Sequence, residues 1–281
     1  MSAILCALVL TASVAPSASP ASPVPTAMST SQAPDYGAIV DGLAQRTSRL
    51  PRDRRGMIVP LLVRLGPAAV PAMLARLSQE SPMMAKVRAA DPDAARFFRE
   101  ALTDALGRDR DARALPLLTE IFFSGSSDHR LVRAAAQGLG RLCDQGSFET
   151  LASHLADAGD LALAAISGLG QCREERSVAL LAARLANTSD PMAMKDIADA
   201  LGQAASSWAW VAMGPTRADE GARARHLAAE ALLGAYVRAP ALARETIAES
   251  LVMTDDPSVP AALTDQRFAA IAPLWRRAHL R

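Results

Sequence analysis

Apolar positions in this chain recur at three- and four-residue spacing, in blocks of about 8 to 17 residues cut by glycine, proline and polar loops. Within 131–142, Leu131, Ala135 and Leu139 form one stripe, and Ala134 with Gly138 makes a thin adjoining face. That period is helical, and one apolar stripe means one buried face. Leu115, Leu118, Ile121 and Phe122 mark a helix over 112–123. The same reading predicts a first helix over 36–50 and a helix pair in 54–77 broken at Gly66-Pro67. Further helices are expected over 92–107, 148–155, 161–170, 178–185, 191–202, 223–236, 240–253 and 267–280. Asp91-Pro92 and Asp190-Pro191 each supply an N-cap followed by a proline, which the first helical turn tolerates. Strand-like alternation occurs nowhere.

Glycine punctuates the blocks at Gly66, Gly107, Gly140, Gly170, Gly202 and Gly234, in steps of 41, 33, 30, 32 and 32 residues. A constant period in this range indicates stacked helical repeats. The long first step places an insertion in 79–92, with a short helix near 84–90. The glycines are expected to sit just past helix ends in the left-handed conformation. Helices would then pair antiparallel across short loops.

The recurring stretches are VRAAAQGLG (132–140), LALAAISGLG (161–170), ALTDALG (101–107), DIADALG (196–202) and LGPAAVPAMLARL (65–77). Together they resemble the short bacterial repeats of the HEAT superfamily, best over 54–202. The resemblance implies an all-α, right-handed α-solenoid of antiparallel helix pairs, an armadillo-like helical array. First helices would line the convex side and second helices the concave side. It also implies a scaffold or docking role. The superfamily has enzymatic members too: phycobilin lyases, metal-containing hydroxylases and alkyl-base DNA glycosylases. Fold alone does not choose among them.

The domain reading is a leader and linker over 1–34 and a helical array over 35–281, with an atypical C-terminal cap over 203–281. No charged side chain precedes Asp35, and Ala3 to Ala15 is an apolar run followed by Ser, Ala and Pro. That run is shorter than the roughly 20 residues a bilayer span needs. It fits the core of a secretory signal. The expected location is therefore exported, periplasmic or secreted, with the cytoplasm as the alternative. No integral membrane span is expected in the mature chain.

Chemistry is sparse. The four histidines, His129, His154, His226 and His279, lie at no spacing that pairs them on a helix, and no His-Glu dipeptide occurs. No metal, cofactor or catalytic residue is assigned. Gly138-Leu139-Gly140 and Gly168-Leu169-Gly170 follow no predicted strand, so they are not dinucleotide fingerprints. Charges on the second helices, Arg113, Glu120, Glu149, Asp157 and Arg184, are two bases against three acids. Formal net charge is +1. Nucleic acid is not an expected partner.

Cys143 and Cys172 fall at nearly equivalent places in consecutive units. Equivalent places in stacked layers are about one helix diameter, ~10 Å, apart, and a disulfide needs Cα atoms within about 7 Å. The spacing favours two buried thiols. Because the offsets from Gly140 and Gly170 differ and an exported protein meets an oxidising medium, a Cys143–Cys172 bridge stays open as the alternative.

One stretch breaks the pattern. Trp208 and Trp210, at i and i+2, cannot both enter one helical core face. The favoured reading is that both pack under the following loop; otherwise one is exposed, and with Met213 and Arg217 they are the candidate partner-binding residues. The function expected from the sequence is thus a non-enzymatic protein-interaction scaffold of the cell envelope or secreted space, binding an unknown protein on its concave surface. The alternatives are a HEAT-type enzyme, such as a bilin-lyase-like protein, and a purely structural envelope protein.

Overall fold

The computed structural model describes residues 33–157 and 159–279. The leader and most of the linker expected over 1–34, together with Leu280 and Arg281, lie outside the described residues. Every regular element described is helical: α1 (Tyr36–Arg49), α2 (Ile58–Val63), α3 (Val70–Ser78), α4 (Pro82–Ala90), α5 (Pro92–Arg108), α6 (Leu115–Phe123), α7 (His129–Leu142), α8 (Gln145–Ser153), α9 (Asp160–Leu169), α10 (Glu175–Ala186), α11 (Pro191–Ala204), α12 (Ser207–Ala212), α13 (Ala218–Arg238), α14 (Ala241–Thr254), α15 (Val259–Ala262) and α16 (Ala272–His279), with short 3-10 turns between.

Aspartates start these helices. Asp35, Asp91, Asp128, Asp144 and Asp190 each accept a hydrogen bond from a backbone N–H three residues on. Each fills one of the orphan donors of the first turn. Ser81 does the same for α4, the helix inside the 79–92 insertion.

The helices form two layers. In the first, α2, α5, α7, α9, α11 and α14 pack side by side in that order. In the second, α6, α8 and α10 lie against α7, α9 and α11, and α13 closes on α10 and α14. Leucine and phenylalanine fill the space between the layers: Phe98, Leu102, Leu106, Leu118, Phe122, Leu139, Leu151, Leu169 and Leu181 are fully buried. Such an array grows by nearest-neighbour contacts, so each unit depends on the next.

The recurrent glycines do something other than end helices. Of those in the period, only Gly66 has positive φ, at 71°. Gly107, Gly140 and Gly202 lie in the last turns of α5, α7 and α11, and Gly170 follows α9 with helical φ of −61°. They mark where first-layer helices touch. A Cβ on Gly107 would lie 2.4 Å from the Gly138 Cα, and one on Gly140 would lie 1.8 Å from the Gly168 carbonyl oxygen. On Gly170 it would meet the Ala200 Cα at 2.9 Å, and on Gly202 the Ser250 Cβ at 2.7 Å. The expected left-handed caps are therefore corrected to a ladder of backbone-to-backbone contacts. Gly234 is the exception: it is exposed in α13 with nothing within 4 Å.

Close side-by-side packing also lines up helix C-termini, whose last carbonyls lack partners. Arginines tie them together. Arg173 donates to the Gly170 oxygen at 2.8 Å and the Gln203 oxygen at 2.5 Å, joining the ends of α9 and α11. Arg238, at the end of α13, donates to the Leu185 oxygen in the last turn of α10 and to the Thr188 oxygen just beyond it, at 2.7 Å. Burial, and then the charges of Arg110 and Arg141, push the Arg173 guanidinium down to about 10.

Candidate functional site

The sequence-derived binding residues are not gathered into one patch. Trp210 is buried and donates its indole N–H to the Ala204 oxygen at 2.9 Å. Arg217 lies over the Trp210 ring, 5.2 Å from its centroid, and its guanidinium holds both Glu220 carboxylate oxygens. Met213 is half-buried. Trp208 alone points outward, 84% exposed, beside Val211 on the six-residue α12. The i, i+2 spacing on a helix turns the two tryptophans apart, and the exposure of Trp208 corrects the reading that both pack under the following loop.

The distance expected between the cysteines needs correction. Cys143 follows α7 with a left-handed φ of 44°, Cys172 follows α9, and their Cα atoms are 5.4 Å apart with the sulfurs at bonding distance. A helix diameter was the wrong ruler. The Gly140–Gly168 contact removes the side-chain layer that normally separates α7 from α9, and the chain beyond each helix closes the rest of the gap.

Among the described residues, Cys143, Cys172 and Glu174 are the one group of three metal-ligating side chains within mutual reach. Joined sulfurs are not thiolates, so in this form the group does not serve a cation. The histidines pair singly with acids: His129 with Asp160, His154 with Asp157, His279 with Asp255, and His226 with both Glu230 and Asp256.

Convergent chemistry lies where sequence reasoning did not look, on the first-layer helices. A cleft of about 350 Å³ runs between α5 and α7. Its α5 wall carries Phe97, Glu100, Asp104 and Arg108, and its α7 wall Arg130, Arg133, Gln137 and Arg141. These residues share the cleft because i, i+4 and i, i+3 spacing stacks them on single helix faces. Two of the four arginines are committed: Asp104 takes Arg108 at 3.0 Å and Arg141 at 2.6 Å. Arg130 and Arg133 are exposed and make no ion pair among the described residues.

Glu100 sits half-buried between these groups. Burial raises its carboxyl above the usual carboxylate range, Arg130 opposes the rise, and Asp128 and Asp104 add to it. A second cleft of about 390 Å³ lies on the other side of α5 against the inserted α4, lined by Arg76, Arg88, Arg96 and Arg99 with Glu80 and Asp128. Arg76 is held by Asp41 and Arg88 by Glu80, whereas Arg99 has no ion pair among the described residues.

A signal for this site was present in the sequence. Residues 35–142 hold 17 bases and 12 acids, and 143–281 hold 13 bases and 17 acids. A near-neutral total hides a basic half and an acidic half.

No family model and no curated protein matches the chain. Among solved structures it is similar to human deoxyhypusine hydroxylase in complex with glycerol, at 20% identity and a TM-score of 0.37, over 87% of this chain and 96% of that one. This neighbour is an enzyme, and it corrects the expectation of a non-enzymatic protein-binding scaffold. The clefts agree with the correction.

Proposed function

We propose that this protein is a HEAT-type enzyme that takes a negatively charged small molecule into the α5–α7 cleft. In this reading the array is a right-handed solenoid. The observation that carries the reading is Glu100, a carboxyl that burial raises above the usual carboxylate range, set among arginines of which two make no ion pair among the described residues. Arg130 and Arg133 are the anion-holding groups, because guanidinium forks bind carboxylate and phosphate oxygens in pairs. Glu100 is the group placed to exchange a proton with the bound anion, and burial raises its carboxyl above the usual carboxylate range. The cleft volume falls within the ~300–1,000 Å³ typical of small-molecule sites. Adjoining cysteine sulfurs fit an oxidising compartment, which favours the exported location.

Calorimetric titration of the full chain with citrate and with pyrophosphate tests the binding half. Expected is saturable binding, weakened about tenfold or more by Arg130→Ala with Arg133→Ala, a loss of about 1.4 kcal/mol or more. Equal affinity in the double variant, or no binding of either probe, overturns the reading.

A further inference from the structure

Away from the cleft, three side chains meet where α7, α9 and α10 come together. Cys143 and Cys172 have their sulfurs at bonding distance, and a Glu174 carboxylate oxygen lies within 4.8 Å of both. The two sulfurs are not equivalent. Cys172 is fully buried, its carbonyl held by the Ser177 hydroxyl at 3.0 Å, while Cys143 is half-buried. Cys143 also occupies a left-handed backbone position, which costs a side-chain-bearing residue about 1–3 kcal/mol. Glu174 is oriented by the Arg176 guanidinium, which itself donates to the Gln145 oxygen at 2.6 Å and stacks on Phe148 at 3.8 Å.

We propose that Cys143, Cys172 and Glu174 form a thiol–disulfide exchange centre whose attackable sulfur is that of Cys143. A bridge serving only to clamp two helices needs neither unequal access nor a carboxylate beside it. The incoming reactant is a small thiol or dithiol. Its thiolate attacks the Cys143 sulfur, a new S–S bond forms there, and the Cys143–Cys172 bond breaks. Cys172 leaves as a thiolate beside the Glu174 carboxylate and takes its proton from solvent. A second thiol of the reactant then attacks the mixed disulfide and releases Cys143 as a thiol. The protein disulfide is reduced to two thiols and the dithiol is oxidised to its disulfide, so electrons and protons balance. Rates of such steps follow access and the protonation of the leaving sulfur. The inference does not depend on the anion cleft.

Alkylation and mass spectrometry of the oxidised full chain under dithiothreitol, without denaturant, provide the test. Reduction is expected in the folded protein. With oxidised glutathione, Cys172→Ser is expected to form a mixed disulfide on Cys143 at least about tenfold faster than Cys143→Ser forms one on Cys172, as access dictates. Glu174→Gln, which removes a negative charge within 4.8 Å of both sulfurs, is expected to speed reduction about threefold or more at unchanged melting temperature, because the departing Cys172 thiolate no longer faces a like charge. Reduction only after unfolding, equal reactivity of the two single variants, or an unchanged reduction rate in Glu174→Gln each overturns the proposal.

Discussion

Gly140→Ala separates two explanations of the recurrent glycines. Its helical φ means that alanine is conformationally acceptable at 140, and the helix-propensity gain on Gly→Ala is about 1 kcal/mol. Opposing this, the new Cβ would lie 1.8 Å from the Gly168 carbonyl oxygen and 2.6 Å from its carbon. Ordinary carbon–oxygen contacts are about 3.3–3.6 Å, so α7 and α9 must part by roughly 1.5 Å. Both atoms belong to backbone, so no rotamer change relieves the clash. Overpacking costs about 1–3 kcal/mol even where side chains adjust, and here the net loss is expected near the top of that range, about 3 kcal/mol. For a domain of this size that lowers the melting temperature by about 6–12 °C. Gly234→Ala is the control: nothing lies within 4 Å of its Cβ, so propensity alone acts and stability rises by about 0.5–1 kcal/mol. Gly140→Asn completes the set. A left-handed cap tolerates asparagine, whereas a steric contact makes asparagine worse than alanine. Circular-dichroism melts of the three variants decide. A Gly140→Ala melt as high as that of Gly234→Ala, or an Asn variant more stable than the Ala variant, would refute the ladder.

Four other outcomes are expected. Arg238→Met leaves the Leu185 and Thr188 carbonyls at the end of α10 without their charged donor and should cost about 1.5–3 kcal/mol in urea unfolding. Glu100 has a raised folded-state pKa, so its contribution to stability is full below the unfolded value and is lost as pH rises through the folded one; Glu100→Gln should stabilise the protein at pH 7 and be neutral at pH 4, read from paired urea melts. Trp210→Ala, which empties a buried site, should cost about 3–5 kcal/mol, while exposed Trp208→Ser stays within about 0.5 kcal/mol; tryptophan fluorescence follows both. Reducing the Cys143–Cys172 bridge, which closes a loop with a sequence separation of 29, should cost about 3–4 kcal/mol on the chain-entropy scale, measured by melting with and without reductant.

The helices were legible because a 3.6-residue apolar period and aspartate caps are local properties. Asp91, Asp128 and Asp190 cap helices whose starts the sequence marked to within a few residues. The repeat was legible for the same reason, as a recurrence along one dimension. The role of its glycines was not. A glycine that ends a helix and one that lets two backbones touch read alike in sequence, and only the position of Gly168 opposite Gly140 separates them. The candidate cleft was also hidden, because its arginines stand on the first helices, whose outer face the repeat pattern does not mark. Glu100 and Arg133 lie 33 residues apart; what makes them one site is that α5 and α7 are neighbours.

By itself the sequence determined that this chain is a stack of short helices. Hydrogen bonds within a helix, its caps and its apolar stripe are all encoded within a few residues of one another. Tertiary structure decided which groups became chemistry. Close approach through missing Cβ atoms set the spacing of α7 and α9 and brought the two cysteines together. The side-by-side order of first-layer helices half-buried Glu100 near Arg130 and left that arginine with no ion pair among the described residues. Proton affinity, sulfur access and charge pairing depend on neighbours distant along the chain, and those neighbours exist only once the layers have stacked.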